Sequence, residues 1–310
     1  MRIAFLGTPE FALPSLDALR RAGHELLAVT QPDRPVGRRL TLTAPPVKIY
    51  AQAHGIPIVQ CNKVRSPEGV AALTAFAPEI MVTAAFGQLL SQENLEIPPL
   101  GTINVHGSLL PKYRGASPIQ WAIINGEPVT GITTMLTDIG MDTGDILLQK
   151  DLSIGENETY GRLSDRLSHL GAQALMETLA QLECGRLVRT PQREEDASVC
   201  RLLKKEQGRI IFDLPCRDVH NLVRGTNPWP GAWTMLRDRP LKIWMTRILQ
   251  ENGRLQAAPA GTMMGSSKTG LFAQCADGML EILELQAEGG KRMDAKSFLR
   301  GNPIIGEVLS

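Results

Sequence analysis

Short apolar runs alternate with helical spacing through the first half of the chain. Arg2–Leu6 (RIAFL) is an unbroken run of strand length, closed by Gly7-Thr8-Pro9. Thr8 is placed to cap a helix whose first turn would hold Pro9 and which would reach about Ala22, where Gly23 ends it. Glu25–Thr30 (ELLAVT) is the next strand. Ile80–Ala85 and Gly101–Val105 also have strand character; 118–125 is a short helix and 129–137 another strand. Such a βαβ opening with later repeats predicts an α/β fold, a Rossmann-like and mostly parallel sheet with helices on both faces. Apolar positions at Leu163, Leu167, Leu170, Ala174, Leu175, Leu179 and Leu182 predict a helix over Thr159–Glu183, stopped by Gly185.

Two stretches break the pattern. Gln31–Val47 (QPDRPVGRRLTLTAPPV) holds four prolines and three arginines and matches no periodic element. A loop of that length inside a domain is usually functional or disordered. Residues 186–209 are polar without a clean period, which places a linker at 190–207 between a domain over 1–189 and another over 208–310. In the latter, strand candidates at 241–249, 261–264, 270–275 and 279–285 are separated by Gly and Asp-Gly signals. Short strands at such intervals predict a small OB-like β-barrel.

Bulk composition changes this picture little. With 310 residues, 43% hydrophobic and a formal net charge of +1, the chain is an ordinary globular protein with room for two domains. Charge distribution adds one point: residues 201–310 carry 16 Lys and Arg against 11 Asp and Glu, while residues 1–200 carry 17 against 21. A basic C-terminal third is compatible with a polyanionic partner. The five cysteines form no CxxC pair, so neither a zinc knuckle nor a redox dithiol is supported. The opening MRIAFLGTPEF is too short for a signal peptide or a membrane span, and a cytoplasmic location without membrane contact is expected.

Candidate chemistry begins at Asn104 and His106. Positions two apart on a strand share a face, and here they sit where a sheet strand gives way to a loop rich in Gly and Pro. Open α/β sheets bind ligands at such strand ends. After the first strand the chain reads GTPEF, not GxGxxG, so a dinucleotide cofactor is disfavoured. In IGMDTGDI (139–146), two glycines flank Met141-Asp142-Thr143 and let one carboxylate approach a neighbour. An amide, an imidazole and a carboxylate suit acyl-type transfer to an amine. Asn104 and His106 would donate to the oxyanion, and Asp142 would orient the imidazole and help to remove the amine proton. No second histidine lies near His106, and no metal is expected. Taken alone, Asn-x-His at a strand end more often satisfies loop backbone groups than does chemistry, and Asp142 alone could cap a turn.

The intervening SLLPKYRG decides between these readings. NVHGSLLPKYRGASPIQWAI (104–123) followed by TDIGMDTGDIL (137–147) resembles the formyltransferases that use 10-formyltetrahydrofolate. GTPEFALPSL, QPDRPVGRR, NPWPGAW and LQAEGGKRMDAKSFLRG extend the resemblance over nearly the full length. It implies a one-carbon transferase whose catalytic residues are Asn104, His106 and Asp142 and whose formyl donor is 10-formyltetrahydrofolate. It also implies that Ser108, Leu109, Leu110 and Pro111 line the folate site, with Phe86, Gly87, Gln88, Leu89, Leu90 and Asp138 around the pterin. The acceptor implied is methionyl initiator tRNA, giving N-formylmethionyl-tRNA for translation initiation. Arg34, Arg38 and Arg39 in the long loop would contact its acceptor end, and Lys204, Lys205, Lys291 and Arg292 its backbone. A monomer is expected. Two other readings stay open: formyl transfer to a small amine such as an amino-sugar nucleotide or glycinamide ribonucleotide, and, from another class, a Rossmann-type oxidoreductase or a non-catalytic nucleic-acid binder.

Overall fold

The computed structural model describes residues 1–37, 40–249 and 258–309. The chain forms two compact units. One comprises Met1–Pro118, Val129–Ser153 and Ser164–Cys200; the other comprises Ile119–Pro128, Ile154–Leu163 and Arg201–Ser310.

From the N-terminus the elements run β1 (Arg2–Gly7), α1 (Leu13–Arg21), β2 (Glu25–Thr30), β3 (Arg34–Val36), β4 (Thr41–Thr43), α2 (Pro46–Ala53) and β5 (Ile58–Gln60). Next come α3 (Pro67–Phe76), β6 (Ile80–Ala84), α4 (Gln92–Glu96), β7 (Thr102–His106), β8 (Arg114–Gly115) and α5 (Pro118–Ile124). β9 (Val129–Leu136), β10 (Ile146–Ser153), α6 (Tyr160–Glu183) and β11 (Val199–Cys200) follow.

The main sheet has the order β10-β9-β7-β6-β1-β2-β5. The five strands from β7 to β5 are parallel, and β9 and β10 add antiparallel pairs at one edge. Helices lie on both faces. Coverage on both sides explains why β1 and β6 are near-continuous apolar runs: Ile3, Ala4, Phe5, Leu6, Ile80, Met81 and Val82 are fully buried. Each large side chain so withdrawn contributes about 1.5–3 kcal/mol. The chain passes from β1 to β2 on one side, whereas β6 joins β1 on the other. That reversal opens a crevice at the carboxyl ends of β1 and β6.

Three local expectations are corrected. Thr8 does not cap the first helix; its hydroxyl donates to the Phe86 carbonyl at 2.9 Å, tying the β1 loop to the β6 loop. A 3-10 turn, Glu10–Ala12, precedes α1 instead. The 31–47 stretch is not structureless. β3 and β4 pair as an antiparallel hairpin, with Arg34 opposite Thr43, and α2 starts at Pro46. Three-residue strands are too short to show a period. β10, for which no element was expected, alternates half-buried and exposed residues along β9 from Leu148 onward.

In the second unit, α7 (Cys216–Gly225) precedes β12 (Ala232–Leu236), β13 (Arg239–Ile248), β14 (Met263–Ser266), β15 (Gly270–Cys275), β16 (Gly278–Ala287), β17 (Met293–Asp294) and α8 (Ala295–Gly301). The expected OB-like barrel takes the form of a six-stranded antiparallel sheet, β12-β13-β16-β15-β14 with β17 on β16. Leu241, Ile243, Leu271, Leu280 and Ile282 of its strands pack with Val219 and Val223 of α7 and Phe298 of α8. Among the described residues no helix is long and apolar enough to cross a membrane.

Candidate active site

β7 pairs with β6 on one side and β9 on the other, so its position is fixed along both edges. Asn104 and His106 share one of its faces by strand period. Thr83, directly opposite Asn104 in the β6 register, donates its hydroxyl to Asn104 Oδ1 at 2.8 Å. A hydroxyl bonded to the amide oxygen leaves the NH2 end to face the other way, and Nδ2 donates to Asp142 Oδ1 at 3.2 Å. His106 is 6% exposed, and its Nε2 lies 2.9 Å from the Tyr113 carbonyl. A carbonyl only accepts, so Nε2 carries a proton and Nδ1 is the nitrogen left for chemistry. Nδ1 lies 3.6 Å from Asp142 Oδ2.

The loop that brings Asp142 to this face leaves β9 beside the start of β7, since Leu136 is paired with Ile103. It then folds back over the strand. Asp138 shapes the return: its Oδ1 accepts from Gly140 N–H at 3.0 Å and from the Thr143 hydroxyl at 2.8 Å. Asp142 itself takes a left-handed backbone, φ 54°. The flanking glycines are needed for closeness rather than for φ. A Cβ on Gly144 would lie 1.7 Å from the Leu136 carbonyl oxygen, and one on Gly140 would lie 2.0 Å from Thr143 Oγ1. The carboxylate is held by a second donor, the Gly115 N–H, 2.8 Å from Oδ2. At Gly115 too a side chain is barred, because a Cβ would lie 2.2 Å from the Cys200 carbonyl oxygen.

Thus the structure brings Asn104, His106 and Asp142 around one point, with Nδ2 and Nδ1 on either side of a carboxylate. Thr83, the Tyr113 carbonyl and the Gly115 N–H complete the setting and were not anticipated. Their signals existed: KYRG lies within the motif, and Thr83 occupies the strand next to Asn104.

A profile of the family described as formyl transferase matches residues 1–179, and one described as formyl transferase, C-terminal domain, matches residues 202–303. The chain belongs to the formyl transferase family. It is 48% identical over 311 residues to a methionyl-tRNA formyltransferase of Ruminiclostridium cellulolyticum, covering 100% of this chain and 99% of that one. A methionyl-tRNA formyltransferase of Acetivibrio thermocellus is 49% identical over 311 residues, with 100% and 99% covered. An N-formyltransferase from Helicobacter canadensis, solved with folinic acid and dTDP-3-aminofucose, superposes with a TM-score of 0.69 at 17% identity over 94% of this chain and 99% of that one. At that identity the likeness speaks for the formyl transferase fold.

The remaining expected residues of this formyl transferase divide into shaping and exposed groups. Ser108 is fully buried, and its hydroxyl donates to the Lys112 carbonyl at 2.7 Å. Leu110 is buried, its N–H donating to Thr133 Oγ1 and its carbonyl accepting from Gln149. Leu109 approaches the Gly131 backbone. Pro111 offers its carbonyl to the Ser198 N–H. Phe86 is buried, and its carbonyl accepts from Thr8 and Gln31. Gly87 has φ 76°, and Gln88 bonds the backbone at Cys61 and Val64. Leu90 packs on the neighbouring core. Leu89, by contrast, is 67% exposed, as are Ile139 (69%) and Met141 (57%) on the Asp142 loop.

Of the cationic candidates, Arg34 is exposed on β3 and bonds Gln31. Arg38 and Arg39 lie outside the described residues. Lys204, Lys205 and Lys291 are exposed. Arg292 is paired with Glu284 and stands over the Trp244 ring, 5.2 Å from its centroid.

Proposed function

We propose that this formyl transferase carries the formyl group of 10-formyltetrahydrofolate to the α-amino group of methionyl initiator tRNA, giving N-formylmethionyl-tRNA. The observation that carries formyl transfer is the meeting of Asn104 Nδ2 and His106 Nδ1 on the Asp142 carboxylate, at 3.2 and 3.6 Å. Full-length similarity to methionyl-tRNA formyltransferases supports the acceptor.

The chemistry follows from those atoms. The amine nitrogen attacks the formyl carbon, a C–N bond forms, and the carbonyl oxygen becomes an anion. Asn104 has a second Nδ2 hydrogen to offer that oxygen, and His106 in its imidazolium form offers the Nδ1 hydrogen as well. One preorganised donor of this kind contributes roughly 3–4 kcal/mol to the barrier. Asp142 takes the proton that the attacking amine sheds, directly or through water. The oxyanion then re-forms the carbonyl as the bond from carbon to the folate N10 breaks, N10 takes the proton held by Asp142, directly or through water, and tetrahydrofolate leaves. The pterin lies against the backbone of Phe86–Leu90 and the Asp138–Asp142 loop, where Leu89, Ile139 and Met141 supply apolar surface. Ser108–Pro111 shape the floor of the donor site. Arg34 on the β3–β4 hairpin, with Arg38 and Arg39, meets the acceptor end, and Lys204, Lys205, Lys291 and Arg292 meet phosphates elsewhere.

An acceptor screen tests this. The protein is incubated with labelled 10-formyltetrahydrofolate and either methionyl initiator tRNA, glycinamide ribonucleotide or a dTDP-amino sugar. Label is expected on the tRNA alone. Label on a small amine but not on tRNA overturns the acceptor; label on none overturns formyl transfer.

A further inference from the structure

Gln192 lies outside every motif that points to formyl transfer, and beyond residue 179, where the family's N-terminal match ends. Its side chain nevertheless grips the reactive loop on both sides of Thr143. Nε2 donates to the carbonyl of Asp142 at 2.8 Å and to the carbonyl of Gly144 at 2.7 Å. Oε1 accepts from Arg114 Nε at 3.0 Å, which dictates that the NH2 end faces the loop. Arg114 is buried and pairs through Nη1 with Glu194 at 2.8 Å. The adjoining Gly115 is the residue whose N–H holds the Asp142 carboxylate. β8 and β11 pair in parallel, Arg114 with Val199 and Gly115 with Cys200. One small assembly therefore holds Asp142 twice, by its carboxylate through Gly115 and by its carbonyl through Gln192.

We infer that Gln192 is a positioning residue for formyl transfer, acting through the backbone of Asp142 and not on either substrate. This rests on the reading of Asp142 as the proton acceptor. A left-handed backbone at a residue other than glycine is less favoured than the right-handed region and needs support from its surroundings. Two carbonyls gathered on one amide hold that conformation against relaxation. Released, the carboxylate shifts away from Nδ2 and Nδ1, and a displacement of about 1 Å at a reacting group reduces rate by roughly 10²-fold. Arg114 and Glu194 act one step further out, by orienting the Gln192 amide.

Steady-state kinetics of the full chain test the inference, using Gln192→Ala, Gln192→Glu, Asp142→Asn and the double variant Asp142→Asn/Gln192→Ala. Glutamate keeps the size and the Arg114 contact, but its carboxylate accepts where the loop carbonyls need a donor. Both single Gln192 variants are expected to lower kcat ten- to hundredfold, with KM for 10-formyltetrahydrofolate and for methionyl initiator tRNA within twofold. The double variant is expected to be no slower than Asp142→Asn, because Gln192 works through Asp142. Wild-type kcat in both single variants, a loss confined to KM, or losses that multiply in the double variant overturns the inference. Should Gln192→Ala fail to fold, the isosteric Gln192→Glu carries the measurement. Asp142→Asn at the wild-type rate overturns the reading of Asp142 instead, and so separates the two failures.

Discussion

Two buried histidines, one in each unit, are anchored in the same way and surrounded differently. His106 sets Nε2 on the Tyr113 carbonyl at 2.9 Å, and His220 sets Nε2 on the Glu156 carbonyl at 3.2 Å. Both therefore present Nδ1. For His106 that nitrogen faces a carboxylate, backed by an amide and set on the face of a strand near its end. For His220 it faces the Thr246 hydroxyl at 2.8 Å, a neutral group that can donate to it. The first arrangement is built to exchange charge with something that arrives. The second closes on itself and joins α7 to β13. Burial and hydrogen bonding alone do not distinguish a reactive histidine from a structural one; the partner of the second nitrogen does.

Substituting alanine at both positions breaks the comparison most sharply. His106→Ala is expected to lower kcat for formylation by roughly 10²–10⁴-fold. His220→Ala should leave kcat within about twofold and lower the midpoint, as loss of a buried side chain does. Midpoints and initial rates on the same two preparations decide it, and a rate loss at His220 as large as at His106 would end the distinction. A smaller effect is expected at Thr83→Val, which keeps shape and removes the hydroxyl on Asn104 Oδ1. A net hydrogen bond of about 1 kcal/mol translates to a roughly fivefold fall in kcat. Single-turnover formylation checks this, and an unchanged rate would show that the amide needs no such guide.

The smallest effect concerns pH. Burial pushes His220 below the ordinary histidine value of 6.5, with Arg224 and Arg217 adding to the push and a backbone hydrogen bond at Glu156 opposing it. In the unfolded chain His220 takes up a proton as pH falls through 6.5, whereas in the folded chain it does so only at lower pH. The unfolded state binds more protons in that window, so stability falls as pH drops below about 6.5. His220→Gln should flatten the pH dependence of the urea midpoint there. An identical slope in both proteins would place the titration elsewhere.

Much of the first unit was legible because its signals are local. RIAFL and IMVTA are buried strands because both faces of the sheet are covered, and covered strands read as apolar runs. A period of two put Asn104 and His106 on one face and two glycines singled out Asp142, but only the intervening SLLPKYRG, through its resemblance to the formyltransferases, joined the three into a candidate site. What was hidden depends on tertiary choice. Thr8 could cap or reach across a crevice, and the Phe86 carbonyl decided. β10 carries Gln149, Lys150 and Asp151 in a sequence that strand propensity does not favour, and β9 recruits it as an edge. Gln192 sits in an aperiodic run whose meaning comes only from Arg114 and the loop it meets.

The left-handed backbone at Asp142 also limits which replacements are clean probes. Asparagine visits that region readily and matches aspartate in shape, so exchange of one for the other removes a charge with little backbone penalty. Threonine, valine or isoleucine would add torsional strain to the chemical change, being stiff at the β-carbon. A library scanned at this one codon would therefore score conformation for most of its members, and proton affinity for one.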